Sequence, residues 1–203
     1  MSDPVAVPLR RVETGDFVNA TIWPSVDEGF AAKADDTWLT FLAALRAERL
    51  ARGLDTPAME HEHWRWREKL AETKSLLAYL TMGVECDGKP QGMMMLVTDG
   101  HFSRLSSKTA IPLVYVEFLA AAPWNLRTVV DRPKYAGVGS VLMRAAIATS
   151  MDLEFKGRLA LHALPQAEGY YEAIGMVGLG PDAKKHNLKY YEFTSDGAQA
   201  FIG

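Results

Sequence analysis

Lys134-Tyr135-Ala136-Gly137-Val138-Gly139 follows an apolar stretch and runs into a helical pattern. The first amides of a helix have no intrahelical partner, and the aligned peptide dipoles place partial positive charge there. Glycines let an anion come close to that backbone. The loop is therefore a candidate cradle for a diphosphate. It lacks the Gly-Lys-Ser/Thr ending of a nucleotide P-loop, and Leu142 stands where a dinucleotide fingerprint needs its third glycine. A Gly-x-Gly alone also serves as a tight strand-to-helix connection. Upstream, Glu117 is the single charge inside Leu113–Trp124. A carboxylate in such a run is either a functional group or an ion-paired strand residue.

Other reactive residue types read as packing. Cys86 is the sole cysteine, so neither an intrachain disulfide nor a cysteine zinc site is available. Glu60-His61-Glu62-His63-Trp64-Arg65-Trp66 spaces its histidines two apart. Such residues diverge on a helix, and the zinc pattern His-Glu-x-x-His is absent. The segment reads as a solvated helix face anchored by two tryptophans. His162 and Met93-Met94-Met95 read as strand core. Trp124-Asn125 suits either a ligand site or an anchored loop. No metal is expected.

These residues need a scaffold, and the chain can build one. Its 203 residues are 48% hydrophobic and 23% charged, which excludes a disordered, collagen-like or coiled-coil chain. The formal charge of −3 gives no global attraction to nucleic acid or anionic membrane. No run approaches 18 apolar residues and no secretory leader pattern opens the sequence, so the expectation is a soluble, cytoplasmic protein.

The first thirty residues show no sustained periodicity and are expected to be irregular. Asp35-Asp36 precedes a helix carried by Trp38, Phe41, Leu42 and Leu45 and ended by Gly53. A second helix is expected from Thr56 as N-cap and Pro57 at the first position. Leu76–Cys86 and Gln91–Thr98 flank Asp87-Gly88 as a hairpin. Strands are expected over 111–122, 158–164 and 190–194, with helices over 140–153 and 166–174. This order gives an α/β (α+β) domain over 1–203, its sheet antiparallel first and then crossed by β–α–β connections.

Three segments in that order resemble the GNAT superfamily of N-acetyltransferases. Leu119-Ala-Ala121-Ala-Pro123 resembles the ending of the family's fourth strand, Leu-x-Val-x-Pro. Lys134-x-x-Gly137-x-Gly139 resembles its pyrophosphate loop, Gln/Arg-x-x-Gly-x-Gly/Ala. Ala167-x-x-x-Tyr171-x-x-x-Gly175-Met176 resembles its late Ala-x-x-x-Tyr-x-x-x-Gly-Phe signature. Lys134 replaces Gln or Arg, Ala121 replaces Val, and the 123–134 loop is longer than usual.

The resemblance implies a centrally splayed mixed sheet flanked by helices. It also implies acetyl-CoA as co-substrate and direct acetyl transfer to a primary amine of a small molecule. The diphosphate would lie on the segment Lys134, Tyr135, Ala136, Gly137, Val138, Gly139 and Ser140. The pantetheine would pair with the backbone of Leu119, Ala120 and Ala121. Glu117 would take the amine's proton and Tyr171 would supply one to the departing thiolate. Residues 1–75 would wall the acceptor site, 76–203 would hold the acyl-CoA, and a homodimer is the expected assembly. A protein or aminoacyl-tRNA acceptor, or a non-catalytic acyl-CoA-binding regulatory module, remains open at this stage.

Overall fold

The start of the chain departs from expectation. The structure, a computed structural model, describes residues 3–56, 59–106 and 109–203. In it β1 (Val5–Arg11) and β2 (Phe17–Trp23) form an antiparallel hairpin, with Leu9, Ala20 and Ile22 buried. Pro8 breaks the alternation that would announce a strand. It is accommodated because, among the described residues, the other side of β1 is paired only at Arg10 and Arg11, with the two-residue strand β6 (Tyr135–Ala136).

Helix α1 (Glu28–Ala51) also begins earlier than expected. Asp27 caps it, its carboxylate accepting from the Phe30 amide at 2.8 Å. The buried stripe is Ala31, Ala34, Trp38 and Leu42, and alanines give a weak apolar signal in the first half. Asp35, which looked like the start, caps a different helix. Its carboxylate accepts from the amides of Trp66 and Arg67 at 2.8 and 3.0 Å, opening α2 (Trp66–Thr73). The second helix thus starts at Trp66 rather than after Thr56, and Pro57 lies outside the described residues.

The hairpin β3 (Tyr79–Cys86) and β4 (Lys89–Val97) matches the sequence reading. Asp87 and Gly88 have φ of +52° and +66°, the pair of left-handed residues that a two-residue turn between twisted strands requires. There follow β5 (Val114–Ala121), α3 (Val138–Asp152), β7 (Leu159–Ala163) and α4 (Glu168–Ala173). β8 (Val177–Asp182), β9 (Leu188–Phe193) and α5 (Ser195–Ile202) close the chain. The strands are hydrogen-bonded in the order β6-β1-β2-β3-β4-β5-β7-β9-β8. β5 and β7 are parallel, as a β–α–β crossover allows, while β7–β9 and β8–β9 are antiparallel.

The described chain divides into two compact units. One comprises the segments up to Leu76, Thr81–Met94 and Leu119–Leu142; the other comprises Leu77–Leu80, Met95–Phe118 and Met143–Gly203. In the first, Leu42, Met59 and Val129 pack with Phe41, Leu45, Leu126 and Val130. A Cβ at Gly83 would lie 2.5 Å from the Phe30 ring, so only glycine lets α1 lie this close to β3. In the second, Val97, Leu113, Tyr115, Ala160 and Tyr190 form a core cluster. No helix among the described residues is long and apolar enough to cross a membrane.

Candidate functional site

Gly92 on β4 is the joint of the first unit. A Cβ there would lie 2.5 Å from Val138 Cγ1, 3.1 Å from Leu142 Cδ1 and 3.2 Å from the Ala120 carbonyl oxygen. The first turn of α3 and the end of β5 therefore share one bare Cα as their seat. This brings the Leu119–Ala121 backbone and the glycine loop into one neighbourhood. Gly137 has φ +95°, which L side chains rarely adopt, and a Cβ there would meet no atom within 4 Å. The Val141 amide donates to the Gly137 carbonyl at 2.9 Å, so Val138, Gly139 and Ser140 supply the first-turn amides of α3. An open left-handed glycine ahead of them fits a diphosphate, which a side chain at 137 would displace.

The loop is held in place from behind. Gln91 is fully buried, and its side-chain oxygen accepts from Trp124 Nε1 at 2.8 Å and Asn125 Nδ2 at 3.0 Å. Asn125 Oδ1 then accepts the Tyr135 amide at 2.9 Å, and the Trp124 carbonyl accepts the Lys134 amide at 2.9 Å. Trp124-Asn125 is thus a loop anchor. Within the 134–140 segment the Tyr135 amide is donated to Asn125. The Tyr135 hydroxyl donates to Asp87, whose carboxylate also meets Lys134 Nζ at 3.3 Å. The Tyr135 hydrogen bond, then Lys134, holds the Asp87 carboxyl below the usual carboxylate range.

The second unit carries the two candidates for proton transfer. Glu117 on β5 is half-buried, with Lys185 Nζ 3.6 Å from its carboxylate. Alternation along the strand puts it on the same side as Tyr115. Tyr171 on α4 is buried, with its ring between Tyr170 and Tyr191 at centroid distances of 5.3 and 5.9 Å. Burial raises the Tyr171 hydroxyl well above the ordinary phenol value, so it stays protonated at neutral pH. Glu117 and Tyr171 have different packing partners.

A buried polar chain beside Glu117 escaped the sequence reading. The Tyr115 hydroxyl lies 2.6 Å from His162 Nδ1, and His162 Nε2 lies 3.1 Å from Asp182 Oδ2. Burial lowers the His162 pKa and raises that of Tyr115, so a neutral imidazole accepts from the phenol and donates Nε2–H to the carboxylate. Arg104, 2.8 Å from Asp182, does most to pull that carboxyl down to about 2. The Arg104 amide and the Ser103 hydroxyl both donate to the buried Glu192. These bonds tie the 98–113 connection to β8 and β9, with His101 stacked 4.4 Å above Tyr115. Only His162 and Tyr115 carried any signal in sequence, as polar residues within strands.

The His61 segment is not a helix face. Residues 60–63 form turns, and His61 is buried beside Trp64. Burial, then the neighbouring His63, lowers its pKa to about 4. Among the described residues no group of histidine, cysteine or carboxylate side chains is arranged to hold a metal ion.

No protein-family model matches the sequence, and no curated protein matches it. Solved structures do share its architecture. An aminoglycoside acetyltransferase, AAC(6')-Ib in complex with coenzyme A, aligns with a TM-score of 0.57 at 14% identity, covering 91% of this chain and 99% of that one. The PaiA N-acetyltransferase of Thermoplasma acidophilum, in complex with coenzyme A, aligns at 0.51 and 14% identity, covering 86% and 98%. RimJ of Mycobacterium smegmatis, in complex with CoA-disulfide, aligns at 0.50 and 16% identity, covering 98% and 93%. The chain has the fold of the GNAT acetyltransferases.

Proposed function

We propose that the protein is an acyl-CoA-dependent N-acyltransferase that moves acetyl from acetyl-CoA directly to a primary amine of a small molecule. The observation that carries this reading is the open, left-handed Gly137 ahead of the first turn of α3, seated with Ala120 on Gly92. Lys134 and the amides of Val138, Gly139 and Ser140 bind the diphosphate. The Leu119–Ala121 backbone pairs with the pantetheine and orients the thioester. A fixed backbone donor aimed at the developing oxyanion is a large catalytic contribution.

Transfer forms a C–N bond and breaks the thioester C–S bond. Glu117 takes the proton the amine loses, and the Tyr171 hydroxyl gives one to the departing thiolate. A small acceptor accords with the formal charge of −3, which gives no global attraction to a nucleic acid. It also accords with the aminoglycoside acetyltransferase named among the structural relatives.

Calorimetric titration with acetyl-CoA and with CoA tests the reading on wild type and Gly137→Trp. Saturable wild-type binding, lost in a variant whose circular dichroism is unchanged, is the expected result. An amine panel assayed for CoA release then identifies the acceptor. Absence of wild-type binding to either ligand at millimolar concentration overturns the reading.

A further inference from the structure

The polar cluster around Tyr115 is cationic on its outer side. Arg104 and Lys185 are half exposed, with 49% and 46% of their side chains open to solvent. The carboxylates nearest them are shielded: Glu117 is 25% exposed, Asp182 is 15% exposed, and Glu192 is buried. His101 and His162 add no charge at neutral pH, because burial lowers the pKa of each. Among the described residues, a ligand reaching this cluster therefore meets the two cations ahead of the carboxylates.

Arg104 is the better fixed of the two. Its guanidinium carbon lies 3.8 Å from the centroid of the Tyr190 ring, and Nη2 meets Asp182 Oδ2 at 2.8 Å. Its amide donates to Glu192, so backbone and side chain are both held. Among the described residues the Asp182 contact takes one nitrogen of the planar fork. A stacked guanidinium with its other edge in solvent is set to bind a carboxylate at little cost in side-chain freedom. Tyr115 links this group to the proposed base. Burial, then the Glu117 carboxylate, raise the Tyr115 pKa, and Arg104 opposes them, so both charges act on one hydroxyl. Glu117 stands two residues further along β5 on the same side, about 7 Å from Tyr115.

We propose that the acceptor is an amine that also carries a carboxylate, and that Arg104 binds the carboxylate while Glu117 receives the amine. The inference rests on the acyl-CoA reading above, with Glu117 as its base. It narrows the acceptor to a zwitterion such as a free amino acid, because a polyamine would bring cations to a cationic surface. Arg104 acts on acceptor binding and not on the transfer step. A phosphate on the acceptor would meet the same guanidinium and is the competing chemistry.

The test measures CoA release from acetyl-CoA with matched acceptors. Amino acids of increasing amine-to-carboxylate spacing, from glycine and phenylalanine to γ-aminobutyrate, are each assayed beside their carboxamides. Phosphoethanolamine and spermidine complete the panel. Wild type is expected to prefer an acid over its amide by about tenfold to a hundredfold in kcat/KM, with the difference in KM. Arg104→Gln should lose that preference, the KM of the acid rising to that of the amide. Arg104→Lys keeps the charge without the planar fork and should keep part of it. A merely structural role for Arg104 would weaken both members of a pair equally and leave the preference in place, which overturns the proposal. Circular dichroism checks both variants, and if Arg104→Gln does not fold, an undiminished preference in Arg104→Lys overturns it instead. A wild type that favours amides or spermidine also overturns it, and one that favours phosphoethanolamine over every carboxylate assigns the guanidinium to phosphate. Silence of the whole panel with acetyl-CoA bound overturns the proposal and leaves the donor site standing. Silence without acetyl-CoA binding overturns the acyl-CoA reading as well.

Discussion

Glu117 and Lys185 form a half-buried pair, and a pair of that kind has two possible meanings. As a structural bridge it would contribute little, because exposed or half-exposed ion pairs are worth about 0–1 kcal/mol. As a base it needs only a carboxylate in reach of the amine. Two variants separate these meanings. Glu117→Gln is expected to lower kcat/KM for amine acetylation by about 10²–10⁴-fold with acetyl-CoA affinity unchanged. Lys185→Met breaks the same pair and keeps the carboxylate, so it should retain most of the activity. Equal losses in the two would assign Glu117 to structure. Tyr171 is tested by its hydroxyl alone. Because burial keeps that group protonated, Tyr171→Phe removes a proton donor and should lower kcat about 10²-fold while leaving acetyl-CoA binding intact. An unchanged kcat across pH would reduce Tyr171 to a packed ring on Tyr191.

At the scale of elements, α3 can present its first turn only if nothing stands on Gly92. Gly92→Val would drive a side chain into Val138 and the Ala120 carbonyl, and overpacking of this kind costs about 1–3 kcal/mol. The expected outcome is a lower urea midpoint together with weakened acetyl-CoA binding. Weakened stability with undiminished affinity would mean that the seat does not position the loop. The seat also shows what the sequence reveals and conceals. Apart from the two-residue β6, the strands and helices from Tyr79 to Ala173 were legible because their apolar periodicity and turn residues agree, and the loop motif placed α3 correctly. β8 was not legible. Its Val-Gly-Leu-Gly-Pro-Asp sequence is mostly exposed, lacks alternation and, among the described residues, pairs only with β9. The start of α1 at Glu28 was not legible because Asp35, which looks like its opening, is a cap on a helix about thirty residues away. The diphosphate loop was visible as local sequence. The Arg104 cluster was not, since it joins the 98–113 connection, β7 and the end of β8, which lie far apart in the chain.

At the scale of the whole molecule, acid acts through groups that bind protons differently in the folded and unfolded chain. His61 is the chief of these. Its pKa is near 6.5 in an unfolded chain and about 4 in the fold. Between those values the unfolded chain binds the proton and the folded one refuses it, so stability falls as pH falls. The contribution is fully present above pH 6.5 and is lost by about pH 4, a change on the order of 3 kcal/mol. Asp182 acts in a lower window, since its stabilisation holds above the ordinary carboxyl value of 3.8 and fades toward pH 2. Urea denaturation at half-unit steps from pH 7.5 to 4.5 should therefore show a steady loss in wild type. His61→Gln, which cannot titrate, should start less stable and change little over the same range. Asp35, Glu62 and His63 surround the imidazole, and all three remain in that variant. A slope that survives the substitution would assign the acid response to those neighbours. A slope that vanishes would identify the buried face between α1 and the 59–66 segment as the part of the fold that acid opens first.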